Sequence, residues 1–258
     1  MRIAITRGVS PAIADCQLTH LERLPIDYER ARLQHRAYEA ALEELGCQVQ
    51  ALPAEPAMPD SVFVEDIAVV LDEVAILTRP GALSRRAETA SVATALARFR
   101  PLVSIEAPGT LDGGDVLRTG RMLFVGLTTR TNQAAVDQLM TALAPYGCRV
   151  QGVPVRGCLH LKSAVTEVAP GTLLGNGQWI DWRAFAGFEV IEVDGAEPYA
   201  ANGLRIGERV IYPTSFPATA HRLAQRGVTI LPLDVSELQK AEGAVTCCSL
   251  VFESPPRP

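Results

Sequence analysis

No stretch of this 258-residue chain reaches the ~18–20 consecutive apolar residues that span a bilayer, so no membrane partner is expected. The chain has no basic excess. Its 24 Lys and Arg stand against 29 Asp and Glu, a formal net charge of −5, which gives no reason to expect nucleic acid. None of the six cysteines (Cys16, Cys47, Cys148, Cys158, Cys247, Cys248) pairs in CxxC spacing, and no histidines stand in HxxxH spacing. Neither a redox dithiol nor a typical zinc site is therefore expected, and no metal or organic cofactor. The first residues, MRIAITRGVS, place Ile3 and Ile5 between arginines and lack the apolar core of a secretory signal. The expected location is the cytosol, where the cysteines stay mostly free thiols. Cys47 and Cys148, each just after a glycine, are expected to pack in the core.

What is present is an ordinary globular composition, 48% hydrophobic and 21% charged, long enough for a sizeable core. One organisation recurs along it. Segments 67–78, 115–126, 163–175 and 203–213 each hold two apolar runs around a polar or glycine turn, which is the pattern of a β-hairpin. Helical periodicity follows at 84–99 (Val92, Leu96, Phe99), 131–145 (Val136, Leu139, Met140, Leu143) and 216–226. The third unit keeps only a turn near Trp182. A short strand closes each unit. A fifth unit forms if CCSLVF (247–252) pairs with RIAITR (2–7), followed by a helix over 27–45 with Leu33, Ala37, Ala41 and Leu45 on one stripe, then CQVQAL. The turns recur about every 36 to 51 residues, within the range of repeat architectures. Five ββαβ units with both termini in one of them suggest a closed ring, residues 1–258 forming a single domain. On periodicity alone an ordinary α/β sheet remains the alternative.

The residues just ahead of each hairpin add to this pattern. They are Glu65-Asp66, Asp112, His160, Asn202 and Cys247. Taken singly, each has a plain explanation: a solvated acidic turn, a tight Asp-Gly-Gly turn, a core histidine, a core cysteine. Taken together, corresponding strand starts of a ring converge on its axis. A thiol, an imidazole and several carboxylates would then share one cavity, and the carboxylates favour a cationic substrate.

The stretches PDSVFVED (59–66), RPGALSRRAET (79–89), TLDGGDV (110–116), GLTTRTN (126–132), CLHLKS (158–163) and VTCCSLVF (245–252) resemble the dimethylarginine dimethylaminohydrolase family, in family order and over nearly the whole chain. The resemblance implies a five-bladed α/β propeller, the pentein fold, with pseudo-fivefold symmetry. It implies hydrolysis of methylated arginines to citrulline, with no cofactor and a small cationic amino acid as the bound partner, and it admits a homodimer. It assigns Cys247 as nucleophile, His160 as general acid/base and Asp112 as the carboxylate paired with that histidine. Glu65 and Asp66 would bind the guanidinium, Arg85 and Arg130 the α-carboxylate, and Asp60 the α-amino group. Leu18 falls on a mobile lid, and the Ala241 carbonyl at a ligand contact. Arginine deiminase is the near rival. Its pattern has an aspartate two residues after the catalytic histidine, where this chain has Lys162, and it carries a helical insertion absent here. A non-catalytic pentein-like binding protein would have lost the constellation this chain retains. Strand alternation puts Cys247 toward the cavity and Cys248 into the packing.

Overall fold

The computed structural model describes residues 1–254. The chain opens with β1 (Arg2–Arg7), helix α1 (Tyr28–Glu44) and β2 (Cys47–Leu52). The first hairpin unit then contributes β3 (Ala68–Val70), β4 (Ala75–Leu77), helix α2 (Thr89–Leu96) and β5 (Leu102–Ser104). The second has β6 (Val116–Thr119), β7 (Met122–Leu127), helix α3 (Gln133–Leu143) and β8 (Arg149–Pro154). The third has β9 (Val165–Ala169), β10 (Thr172–Gly175) and β11 (Glu189–Glu192), its helix reduced to a 3-10 turn at Trp182–Phe185. The fourth has β12 (Leu204–Ile206), β13 (Arg209–Pro213), a helix at Pro217–Gln225 and β14 (Thr229–Leu233), and β15 (Leu250–Glu253) comes last.

All five sheets have one topology. The first strand pairs antiparallel with the second, and the second pairs parallel with the third. In the blade that closes the ring, β15 pairs with β1 from Arg2↔Glu253 to Ile5↔Leu250, and β1 runs parallel to β2. A parallel partner needs a crossover, and the helices supply it. Helix limits follow local chemistry. The Asp27 and Asn132 side chains cap α1 and α3 by accepting the N–H of Arg30 and Ala135. Gly46, at φ +83°, ends the turn after α1 in the left-handed region.

The core is divided into five clusters, one between each pair of neighbouring blades. In β1, Ile3 and Ile5 enter the cluster shared with β3 and α2, while Ala4 enters the one shared with β12 and β13. In β7, Leu123 and Val125 face the preceding blade and Phe124 the following one. Strands buried on both faces read as near-continuous apolar runs, and period-two alternation sends successive side chains to different cores. Leu139 of α3 is fully buried in one such cluster, so Leu139→Ala is expected to cost about 2–5 kcal/mol.

Four details differ from the sequence expectations. The buried face of α1 is Ala31, Gln34, His35, Tyr38, Ala41 and Leu42, whereas Leu33 and Ala37 are exposed. Gln34 is buried because it bonds both Ser236 and the Glu237 N–H, so a polar residue occupies the core face. The helix expected from residue 84 begins as a 3-10 segment, Leu83–Glu88, in which Arg85 and Glu88 are buried. Met140 is half exposed beside its buried stripe partners, and Cys148 is only half-buried, next to Arg121. All six cysteines are free. No helix among the described residues is long and apolar enough to cross a membrane.

Candidate active site

The residues ahead of each hairpin do meet at the axis, where side chains tie each blade to the next. The Gly114 N–H donates to Asp66 Oδ1 (3.1 Å), joining the first unit to the second. Asp112 Oδ2 lies 3.0 Å from His160 Nε2, joining second to third. Asn202 donates to the Lys162 carbonyl and to Thr246 Oγ1. Thr246 donates to Glu65 Oε2 (2.8 Å), and the Glu65 N–H donates to the Cys247 carbonyl, which closes the circle.

Glu65 and Asp66 sit on a 3-10 turn, Val64–Ile67, rather than on a strand. Three residues per turn set neighbours about 120° apart, so both carboxylates are buried at the axis but on different sides. Glu65 accepts Lys162 Nζ at 2.6 Å and faces a groove. Asp66 faces a cavity of about 20 Å³, room for one water, walled by Asp60, Asp66, Arg85, Arg130, His160, Ala241 and Cys247 together with Gln17, Phe63, Leu159, Glu242 and Gly243. The Gly113-Gly114 pair makes the approach feasible. A Cβ at Gly114 would lie 2.6 Å from His160 Nδ1 and 2.7 Å from Asp66 Oδ1. The structure thus brings seven of the ten sequence-predicted site residues to one cavity. Asp112 stands behind His160, Glu65 lines the groove, and Leu18 packs on the apolar cluster beside α1.

The cysteine pair lies on a turn, residues 245–248, before β15. The two side chains still part, through the turn rather than through strand alternation. Cys247 is half-buried at the cavity, and Cys248 is buried in the core.

Electrostatics set the resting protonation. Burial opposes a charge on His160, but Asp66, Asp115 and Asp112 outweigh it and raise its pKa to about 9. Burial also acts against Asp66, yet His160 and Arg85 hold it below the usual carboxylate range. Burial, then Glu65 and Asp66, push the Cys247 thiol up to about 12. These surroundings favour an imidazolium and a neutral thiol in the ligand-free site. Asp66, Asp112 and His160 offer donor atoms within 4.8 Å of one another, the geometry of a small metal site. Those atoms are already engaged with one another, with Arg85 and with the N–H groups of Gly81 and Gly114.

Arg85 is fully enclosed. Its Nε and Nη2 form a fork with both oxygens of Glu88, Nη1 bonds Asp66, and Nη2 also meets the Asp60 and Phe63 carbonyls. Arg130 is more open and reaches Thr19 Oγ1. The segment around Leu18 is pinned over the cavity. Asp60 accepts the Gln17 N–H, and the Glu242 carboxylate accepts three consecutive backbone N–H groups, from Thr19, His20 and Leu21. Glu242 has φ +57°, the single positive φ among described non-glycine residues. Sequence reasoning missed Glu242, Glu88 and Asp115. For Asp115, its place in TLDGGDV was the available sign; for Glu242 there was none, since its partners lie more than 220 residues away.

No protein-family model matches the chain. It is 44% identical over 250 residues to the N(G),N(G)-dimethylarginine dimethylaminohydrolase of Streptomyces coelicolor, covering 96% of this chain and 95% of that one. It is 38% identical over 228 residues to the protein of the same name from Pseudomonas aeruginosa, covering 88% and 90%. A crystal structure of the Pseudomonas aeruginosa protein, a cysteine-to-serine mutant complexed with citrulline, superimposes with a TM-score of 0.92 at 36% identity, over 96% of this chain and 98% of that one.

Proposed function

This chain belongs to the dimethylarginine dimethylaminohydrolase family, and we propose that it hydrolyses asymmetric dimethylarginine and monomethylarginine to citrulline and the corresponding methylated amine. The observation that carries this reading is the meeting of Cys247, His160 and Asp66 at one cavity that also presents Arg130 and Asp60. A carboxylate at one end and a guanidinium with a second carboxylate at the other match the charges of an arginine-like amino acid.

In the proposed mechanism the substrate enters as a cation beside Asp66, with Glu65 adding negative potential behind Cys247. Its positive charge offsets the repulsion that keeps the thiol protonated, so Cys247 ionises on binding and its proton leaves to solvent. The thiolate sulfur attacks the guanidinium carbon and forms a C–S bond. The C–N bond to the methylated nitrogen breaks as His160, an imidazolium at neutral pH, gives that nitrogen its proton. This leaves a cationic thiouronium on Cys247. His160, now neutral, takes a proton from water as the water oxygen bonds the same carbon. Collapse breaks the C–S bond, the hydroxyl proton of the adduct passes to the departing sulfur, and citrulline and the neutral thiol are released. A covalent nucleophile splits one hard hydrolysis into two easier steps. Asp112 orients the imidazole in both. Arg130, with the remaining N–H of Arg85, holds the α-carboxylate, Asp60 the α-amino group, and the Leu18 segment with the Ala241 carbonyl closes over the ligand.

Lys162 supports methylarginines over arginine. It pairs with Glu65 at the position where arginine deiminase places a carboxylate for an unsubstituted guanidinium. The free cysteines suit a cytosolic location, and residues 1–254 suit a single catalytic unit. Citrulline release from asymmetric dimethylarginine, monomethylarginine and arginine tests the reading. The methylated substrates are expected to give kcat/KM at least ~10-fold above arginine, about 1.4 kcal/mol of transition-state preference. Preference for arginine would move the assignment to a deiminase, and silence on all three would overturn it.

A further inference from the structure

Asp115, the second aspartate of the Asp-Gly-Gly-Asp run, lies outside the cavity wall and has no assigned role in the reaction. It is 0% exposed, yet it is a carboxylate, and such a group persists only when its acceptors are satisfied. Its two oxygens divide between two parts of the site. Oδ1 accepts the N–H of Leu161 at 2.9 Å, the residue directly after His160. Oδ2 accepts the hydroxyls of Thr128 (2.8 Å) and Thr131 (2.6 Å), which flank Arg130. Thr128 Oγ1 in turn accepts the backbone N–H of Arg130 at 3.0 Å, and Thr131 Oγ1 accepts that of Asp112 at 3.1 Å. Space is reserved for this junction. A Cβ at Gly126 would stand 2.6 Å from Asp115 Oδ1 and 2.9 Å from Leu161 Cβ.

We propose that Asp115 is a positioning residue that fixes the acid/base end of the site to the carboxylate-binding end, through Leu161 on one side and the Thr128–Thr131 loop on the other. This rests on the reading of His160 as acid/base and Arg130 as carboxylate binder. One buried anion then has two effects. It sets where the His160 ring and the Arg130 guanidinium stand relative to each other, and it supplies negative charge beneath the imidazole. The other ionisable groups around His160 are Asp66 with its partner Arg85, Asp112, then Asp60, Arg130, Glu242 and Cys247 around the cavity, and Cys158, whose thiol donates to the His160 carbonyl. Among these groups and Asp115, only the Asp115 carboxylate accepts hydroxyls from the Arg130 loop; Asp112 meets that loop through its backbone N–H.

The test uses Asp115→Asn, nearly isosteric, and Thr128→Val, which cuts the Arg130 arm and keeps the anion. The readouts are the NMR titration of the His160 imidazole in the ligand-free protein and the steady-state constants for asymmetric dimethylarginine. Asp115→Asn is expected to move the His160 titration about one unit toward lower pH, since an anion near a cation is lost, and to raise KM ~10-fold. Thr128→Val is expected to raise KM ~3-fold or more and leave the titration in place. A change in only one readout of Asp115→Asn, or no rise in KM for Thr128→Val, overturns the proposal. Should Asp115→Asn fail to fold, the Thr128→Val result decides. Should the wild-type protein release no citrulline, the functional reading fails by itself, and the titration still decides whether Asp115 governs His160.

Discussion

Glu65 and Asp66 are consecutive residues of one 3-10 turn, both carboxylates and both buried, yet they belong to different surroundings. Asp66 turns to the cavity, where Arg85, His160 and the Gly114 N–H keep it ionised below its usual range. Glu65 turns to the groove of about 290 Å³ on the other side of the axis. There burial raises its pKa against the pull of Lys162, and Thr246 occupies its second oxygen. Cys247 and Cys248 part as well, Cys247 to the cavity and Cys248 into the core beside α1. The axial ring of hydrogen bonds therefore acts as a partition, with reactive groups on one side and locking groups on the other. What a residue does depends on which side its turn presents it to, more than on its chemical type.

The strongest break of this comparison comes from the cysteines. Cys247→Ala is expected to remove at least ~10⁴-fold of citrulline release, the scale of a lost nucleophile. Cys248→Ala is expected to keep turnover within about twofold and to lower unfolding stability by ~1 kcal/mol through a small cavity, read by denaturant titration. Equal losses in the two would erase the partition.

The carboxylates sharpen it. Asp66→Asn leaves Arg85 and His160 short of a buried counter-charge, and kcat/KM for dimethylarginine is expected to fall by ~10²–10³-fold. Glu65→Gln touches the locking side, and a loss of about 10-fold or less is expected in the same assay.

Protonation gives a smaller, pH-dependent test. With Cys247 pushed up to about 12, its alkylation by iodoacetamide in the ligand-free protein is expected to be slow at pH 7 and to rise ~10-fold per pH unit toward pH 10. His160, at about 9, has a folded-state pKa above its unfolded value near ~6.5. Its contribution to stability is therefore fully present below about pH 6.5 and lost as pH rises through about 9, so the thermal midpoint should fall across that window. A rate plateau near pH 7, or a midpoint that rises there, would contradict these assignments. A small effect is expected at the segment pinned over the cavity. Glu242→Gln weakens the acceptor of three N–H groups and should change KM by about 2–5-fold with kcat nearly unchanged.

Much of the fold was legible because its units are local. A polar turn between apolar runs reports a hairpin, and each of the four internal ones formed where that pattern lies. The pairing of CCSLVF with RIAITR was legible as ring closure, although the two cysteines belong to the turn and not to β15. The common position of Glu65, Asp66, Asp112, His160 and Cys247 ahead of their strands pointed to the axis. What escaped depends on distant partners. Gln34 became a core residue through contacts with Ser236 and Glu237 across the fold, and the buried face of α1 is rotated away from Leu33 and Ala37 while keeping Ala41. Glu88 and Glu242 carry no periodic pattern; Glu88 pairs with Arg85 three residues before it, but the tertiary fold is what turns both inward, and it alone brings Glu242 to its partners. A strand would also part Glu65 from Asp66, but the 3-10 turn that does so here is announced by no residue type.

The central claim is that Cys247, and no other thiol, carries the reacting carbon. Its most direct test is peptide mass mapping of protein quenched during turnover of asymmetric dimethylarginine. The account predicts an added thiouronium mass on the peptide holding Cys247, assigned to that residue by fragmentation, together with citrulline from the wild-type protein. Citrulline formed with an unmodified Cys247, or an adduct on Cys248, would contradict it.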